Sequence, residues 1–249
     1  MAYRMIFMKV IVLTIILFPS AVMAAGLSDS LVGYWPLDGN GKDESGNGND
    51  ATLEAGAKWV PDGWINGAME VDGNGGHAVV DSGFELVTTE ITVAARVNGW
   101  RTIHWSGVVV GRSDTTFWMG IADNETLTYV WNNNSNQTWA WKGAPAFPQD
   151  KWSLIAIAIS ADKATSYVYD RDSGNLDSAD NEIPHVEQTV VNLKFGWDEC
   201  CGARYFKGII DDVMIFDRTL SADEITDLAA GGLPVQSKGK LTTTWAALK

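Results

Sequence analysis

Four carboxylates stand where hard oxygen ligands could gather. Asp38 and Asp43 follow the first apolar run of the chain, and Asp211-Asp212 open the last long one. If those runs are neighbouring strands, acids from both would meet, and Ca²⁺ takes such oxygens at roughly 2.3–2.6 Å. A structural calcium held by Asp38, Asp43, Asp211 and Asp212 is therefore one expectation. The other reading of the same residues is that Asp43 caps a turn while Asp211 or Asp212 accepts backbone N–H bonds. Asp43-x-Ser45-x-Asn47-Gly48 with Glu54 also approaches the spacing of an EF-hand loop. Gly39, Gly41 and Gly56 crowd it and Asp50 sits where an apolar residue belongs, so the flanking helices that such a loop needs are missing.

The chain carries 12 tryptophans, and Trp100, Trp105, Trp118, Trp131, Trp139 and Trp141 crowd one stretch of it. Trp131-Asn-Asn-Asn-Ser-Asn-Gln-Thr-Trp-Ala-Trp141 alternates flat apolar rings with amides. Sugars are bound by that combination, since their C–H faces stack on rings and their hydroxyls hydrogen-bond to amides. Most indoles must fill core volume, Trp131 and Trp152 among them. Trp139 and Trp141, with Asn134 and Asn136, are the expected carbohydrate-binding residues, and Trp197 is a further candidate. Asn124, Asn133 and Asn136 each begin an N-glycosylation acceptor triplet, which places residues 122–138 at the surface.

Cys200 and Cys201 are the sole cysteines and are adjacent. Neighbouring Cα atoms stand about 3.8 Å apart, below the usual disulfide range. In an exported chain with no third cysteine the expectation is still that they bond to each other, making a tight knob beside Trp197. Catalysis finds little support, and no catalytic residue is assigned. No Glu-x-Asp-x-Glu strand, Gly-x-Ser-x-Gly elbow, His-Glu-x-x-His pair or Walker loop occurs. His77, His104 and His185 show no ligand spacing.

The elements that must position these residues are strands. Short apolar or alternating runs, separated by Gly/Asn/Asp turns, cover Leu31–Leu37, Gly67–Val71, His77–Asp81, Ile91–Val97, Gly107–Gly111 and Thr116–Ile121. Further runs are Leu127–Trp131, Trp152–Ser160, Thr165–Asp170, Val190–Gly196 and Ile209–Phe216. Leu154–Ile159 is almost wholly apolar, as a central strand buried on both faces would be. Asp170-Arg-Asp172 and Asp177 to Asp180 read as turn. One helix stands out: Ser221-Ala-Asp-Glu224 has the form of a capping box, Ile225 and Leu228 make its stripe, and Gly231-Gly232 stops it. Many short strands with one short C-terminal helix predict an all-β, two-sheet antiparallel jelly-roll sandwich over residues 25–232.

Residues 1–24 read as an export signal, with Arg4 and Lys9 before the apolar Val10–Phe18 and small residues at the cut after Ala24. A secreted protein, extracellular, at the cell surface or periplasmic, is therefore expected. Residues 233–249 read as a polar tail or linker stub. No apolar run is long enough to span a membrane in the mature chain. The formal net charge of −13 repels polyphosphates, which argues against a nucleic-acid partner and, by the same reasoning, against uronate-rich or sulfated ligands.

Three blocks carry a family resemblance: Gly33-Tyr-Trp-Pro-Leu-Asp38, Gly63-Trp-Ile-Asn-Gly67 running on to Asp72-Gly73, and Tyr205-Phe-Lys-Gly208-Ile-Ile-Asp211-Asp212-Val-Met-Ile-Phe216 followed by Arg218-Thr-Leu-Ser. In their order and spacing they resemble the laminin-G-like jelly rolls of the concanavalin A-like lectin/glucanase superfamily. The resemblance implies a two-sheet sandwich and, from related sandwiches, adds weight to a structural calcium. It leaves activity open, because one fold hosts many functions. The leading expectation is a non-catalytic, lectin-like module binding a glycan or a cell-surface partner. A protein-interaction or adhesion module is the alternative, and a divergent glycoside hydrolase or polysaccharide lyase a third.

Overall fold

The computed structural model describes residues 23–80, 83–112, 116–131, 138–202, 204–231 and 233. The export signal up to residue 22, the candidates Asn134 and Asn136, and the tail beyond residue 233 lie outside the described residues. A short helix α1 (Met23–Asp29) precedes β1 (Leu31–Trp35), β2 (Ala51–Glu54), β3 (Lys58–Val60), β4 (Ala68–Asp72), β5 (His77–Val80) and β6 (Glu85–Thr88). Then come β7 (Ile91–Arg101), β8 (Ser106–Arg112), β9 (Thr116–Ile121), β10 (Leu127–Trp131) and a 3₁₀ turn at Thr138–Ala140. They lead to β11 (Ser153–Ile159), β12 (Ala164–Asp170), β13 (Leu176–Asn181), β14 (Gln188–Val191), β15 (Leu193–Phe195) and β16 (Trp197–Asp198). The long β17 (Arg204–Phe216) and helix α2 (Ala222–Ala229) follow.

A nine-stranded sheet runs β13-β12-β11-β7-β17-β4-β3, with β1 and β16 also on β17, and a six-stranded sheet runs β10-β9-β8-β15-β5-β2. All pairings are antiparallel. The two sheets face each other across one core, in which Val93, Ile155 and Val213 of the first meet Val109, Met119 and Phe195 of the second. This is the jelly-roll sandwich that the strand pattern predicts. Among the described residues no helix is long and apolar enough to cross a membrane.

The apolar run of β11 has the reason expected of it. Ile155, Ile157 and Ile159 enter the main core, while Leu154, Ala156 and Ala158 face a second cluster under α2. The alternation in β12 splits likewise, Val168 inward and Tyr167 and Tyr169 outward. The capping box at α2 forms as read: the Glu224 N–H donates to Ser221 Oγ at 3.3 Å and Glu224 reaches back to the Ser221 N–H at 2.9 Å. Other elements differ from the sequence pattern. The run Val190–Gly196 is divided at Asn192, whose φ of 53° breaks it into β14 and β15 of different sheets. Asp177 and Asp180 lie in a strand, not a turn: β13 pairs with β12 at the edge of the nine-stranded sheet, and Asp180 accepts from Lys163 at 2.6 Å and Thr165 at 2.7 Å.

The first and last apolar runs are indeed neighbours, β1 on β17, with Tyr34 opposite Met214. Beside them β17 bulges. Asp211 pairs with Arg96 of β7 and Met214 with Ala94, so one residue of β17 is extra, and Asp212 takes a left-handed φ of 44°. The bulge turns both acids onto buried donors. Asp212 is 5% exposed, accepts from Tyr34 Oη at 2.7 Å and pairs with Arg96, whose Nη2 donates to the Leu228 carbonyl at the end of α2 (2.8 Å). Asp211 is fully buried and accepts from the Trp64 and Ile65 N–H groups at 2.8 and 3.2 Å. Gly63 is required there, since a Cβ would stand 2.8 Å from the Asp211 carboxylate and 2.2 Å from the Gly67 carbonyl oxygen.

Burial pushes the Asp211 carboxyl up to about 7, and negative Asp212 beside it adds to the shift. An acid raised in the fold favours folding while protonated, so this contribution is whole below the unfolded value near 4 and is lost as pH rises through about 7. Asp211→Asn keeps an oxygen for Trp64 and Ile65 but cannot ionise. Between about pH 5 and about pH 8 the native chain should lose on the order of 1–3 kcal/mol more unfolding free energy than the variant, read by urea denaturation. Equal losses would show that Asp211 ionises as freely folded as unfolded.

Candidate functional site

The outward face of the six-stranded sheet is unusual in carrying buried aromatic and aliphatic residues. Val110, Trp118 and Lys194 lie in one row across β8, β9 and β15, since Val110 pairs with both Trp118 and Lys194. Their chain neighbours Val109, Met119 and Phe195 fill the core, so this row points away from it. Val110 and Trp118 are nonetheless each only 1% exposed. Part of their cover is a hairpin. Gly196, at φ 88°, turns the chain out of β15, and β16 pairs with the start of β17, Trp197 opposite Tyr205 and Asp198 opposite Arg204. Gly107 permits the close approach, because a Cβ there would lie 2.9 Å from Trp118 Nε1 and 3.1 Å from the Asp198 Cβ.

Alternation gives the hairpin two faces. On one, Asp198 is fully buried and gathers donors: Arg112 Nε at 2.9 Å and the Cys200 N–H at 3.0 Å reach Oδ1, and Arg204 Nη1 stands 3.6 Å from Oδ2. Arg204 lies over the Trp105 ring, 5.5 Å from its centre. Trp105 in turn meets Trp118 at 5.8 Å and Trp139 at 6.4 Å. Trp139 is 48% exposed and forms the open end of the series. On the other face Trp197 stacks on Tyr205 (6.0 Å, 16° between planes) and touches His77, with Lys194 Nζ 5.0 Å above its ring. Lys194 is paired with Glu199. The hairpin tip carries Cys200 and Cys201, joined to each other, with Cys201 at φ 59° and Gly202 at φ 99°.

Of the residues singled out in sequence, Trp139, Trp197, Cys200 and Cys201 thus come to one hairpin and its neighbours. Trp141 does not join Trp139: it is half-buried, packs on the core and meets Tyr129 at 6.1 Å. Trp131 is core. Trp152, expected in the core, is instead half-buried outside it, with its ring 6.1 Å from that of Trp64. Trp105, Arg112, Asp198, Arg204 and Tyr205 were not singled out. The available signal was the alternation Trp197-Asp198 and Arg204-Tyr205 on either side of a Cys-Cys-Gly turn, which is a hairpin pattern.

Each of the four acids accepts from protein donors, although Asp211 Oδ1 has no partner. Asp43 accepts from the N–H groups of Tyr34, Ser45 and Asn49, each at 3.0 Å. Asp38 accepts from the Gly67 N–H at 2.9 Å and the Asn66 amide at 3.3 Å. Asp38 and Asp212 do line one cavity of about 200 Å³ with Tyr34 and Arg96, but Asp43 is turned to its own loop. Among the described residues no three metal-ligating side chains gather. The four acids are thus not gathered around one point, and calcium has no part in the function proposed below.

A family model of the concanavalin A-like lectin/glucanases superfamily matches residues 72–226. No curated protein sequence matches the chain. Among solved structures, domain 4 of AbnA, an extracellular arabinanase from Geobacillus stearothermophilus in complex with arabinotriose, is similar with a TM-score of 0.58 at 17% identity, over 80% of this chain and 98% of that one. The binding domain of botulinum neurotoxin DC in complex with rat synaptotagmin II gives 0.59 at 14% identity, over 83% of this chain and 52% of that one. A Trypanosoma rangeli sialidase mutant displaying trans-sialidase activity gives 0.58 at 15%, over 83% and 34%. This chain therefore spans about half of the toxin fragment and a third of the sialidase.

Asp198 is the fixture of the hairpin. Asp198→Ala would leave two guanidiniums beside an uncharged pocket and free the Cys200 N–H, and removing one partner of a buried ion pair costs about 3–5 kcal/mol. Urea denaturation should show a loss of about 3 kcal/mol. A loss below about 1 kcal/mol would mean that the hairpin is held by its aromatic contacts alone.

Proposed function

Since the chain belongs to the concanavalin A-like lectin/glucanases superfamily, we propose that it is an exported, non-catalytic carbohydrate-binding module whose ligand lies on the outward face of its six-stranded sheet. The observation that carries this reading is the graded aromatic series on that face: Trp118 buried, Trp105 half-buried and Trp139 about half exposed, with Arg204 over the middle ring. A sugar needs a flat apolar surface with hydrogen-bonding groups at its margin. Trp139 offers the surface, and Arg204 and Arg112, each with a side chain 23% exposed, offer donors.

The acids of this face argue for binding without hydrolysis. A glycosidase needs two carboxyl groups roughly 5–9.5 Å apart across a cleft, free to exchange protons. Asp198 is closed off under two arginines and Glu199 is paired with Lys194. The AbnA domain, of which this chain covers 98%, is seen with arabinotriose, which makes neutral oligosaccharides a sensible first probe. The toxin fragment seen with synaptotagmin II keeps a protein partner as the rival reading.

A glycan array followed by calorimetry tests the proposal. Against the best array ligand, Trp139→Ala should lose about 1–3 kcal/mol of binding free energy, by analogy with rings stacked on aromatic side chains, while its urea midpoint stays unchanged. Trp141→Ala should do the reverse, lowering stability by about 2–4 kcal/mol with little effect on affinity in the folded fraction. No binding to any glycan on a broad array would turn the assignment to the protein-partner reading.

A further inference from the structure

Resting on the glycan-binding reading, we propose that Arg204 selects the ligand class, and that the class is a carboxylated sugar such as a uronic or sialic acid. The argument is one of local charge. Arg112 and Arg204 share a single carboxylate, that of Asp198, and among the described residues neither pairs with another acid. Glu199, next to Asp198 in the chain, is taken by Lys194. Among the described residues one positive charge is therefore left over beside the exposed tryptophan. Asp198 cannot ionically satisfy both arginines, and its 3.6 Å separation from Arg204 Nη1, against 2.9 Å from Arg112 Nε, shows which of the two is held less closely.

The less satisfied guanidinium is also the one placed for recognition. Arg204 stands 5.5 Å and Trp139 6.4 Å from the centre of the Trp105 ring, on contacts to the same indole. A sugar ring on Trp139 would thus carry its substituents to Arg204 within about the length of a disaccharide. A guanidinium is a planar fork of donors that matches a carboxylate, and its pairing with a ring is retained while it does so. Glu125 and Arg101 close the adjacent loop by pairing with each other, so they bring no net charge to the site.

The whole-chain charge of −13 points the other way, and the distinction is one of distance. At physiological salt, charges more than about 8 Å off are largely screened, so net charge slows the approach of an acidic glycan while the residues in contact decide its affinity. An acidic ligand should accordingly bind slowly and stay.

Matched probes test this: sialyllactose against lactose, and trigalacturonate against its carboxyl-reduced counterpart. The native chain should bind at least one carboxylated member about tenfold more tightly than its neutral partner, as expected for a hydrogen bond to a charged group. Arg204→Gln, shown to be folded by its urea midpoint, should lose that preference while keeping the neutral affinity. Arg204→Lys, which retains the charge without the fork, should keep only part of it and serves as the readout if the glutamine variant does not fold. Equal or tighter binding of the neutral partners by the native chain would overturn this inference and leave the glycan-binding reading standing. A preference that survives in folded Arg204→Gln, or undiminished in Arg204→Lys, would overturn the role of Arg204. Absence of binding to all four probes and to a broad array would overturn both.

Discussion

The buried ion pair of Arg96 with Asp212 is the interaction on which the rest of the molecule turns. It lies at the bulge of β17, the strand that pairs with β1, β4, β7 and β16. Two charges out of water are costly unless their remaining lone pairs and protons are met. Here most are: Tyr34 of β1 donates to Asp212, and Arg96 Nη2 donates to the last turn of α2, while Arg96 Nε has no hydrogen-bond partner. The pair thus joins the first strand, the last strand, a central strand and the C-terminal helix at one point. Removing either charge would leave the other buried alone. The extra residue of the bulge is what allows Asp211 and Asp212, adjacent in sequence, both to find buried partners. In a regular strand they would point to opposite faces.

Another buried aspartate, Asp198, stands opposite the start of the same strand. Asp212 is matched to one arginine, and its surroundings close over it. Asp198 faces two, at a hairpin that lies on a sheet face rather than in the core. The contrast is one of charge balance. A balanced pair is inert toward solutes because bringing in another ion would only disturb it. An unbalanced one attracts a counter-charge, and the cost of holding it is repaid when the counter-charge arrives. The covalent link of Cys200 to Cys201 keeps the hairpin tip small and stiff. It closes a minimal loop and so adds little to the stability of the fold.

The sandwich was legible because most of its strands declare themselves locally. The unbroken apolar run of β11 has two hydrophobic faces to serve, and the capping box of α2 is complete within four residues of sequence. The run from Val190 misled because apolar character alone does not reveal that Asn192 takes a left-handed conformation and sends its flanks to different sheets. The acidic stretch of β13 misled in the opposite sense, since an edge strand need bury almost nothing. At the site, exposed Trp139 and the Trp197–Cys201 loop were visible as residue types. Arg112, Asp198 and Arg204 were not, because they come from separate strands and meet only after β16 and β17 fold over the outside of another sheet. The acids near the first and last strands were recognised as a group, but spacing does not tell a metal's oxygens from a backbone's acceptors. Asp38, Asp43 and Asp211 each accept backbone N–H groups.

The acidic edge strand β13 has a bearing on how copies of this chain meet. An open strand invites another of its kind, and two such edges in antiparallel contact can seed sheets that continue from molecule to molecule. Asp177 and Asp180 stand exposed along Leu176–Asn181, with Lys163 answering only the second. Two β13 strands brought together would therefore face each other with like charges and no buried apolar surface in return. The acids of β13 thus disfavour a tenth strand on that edge of the nine-stranded sheet, and crowding would pack these molecules side by side without fusing them into a fibre.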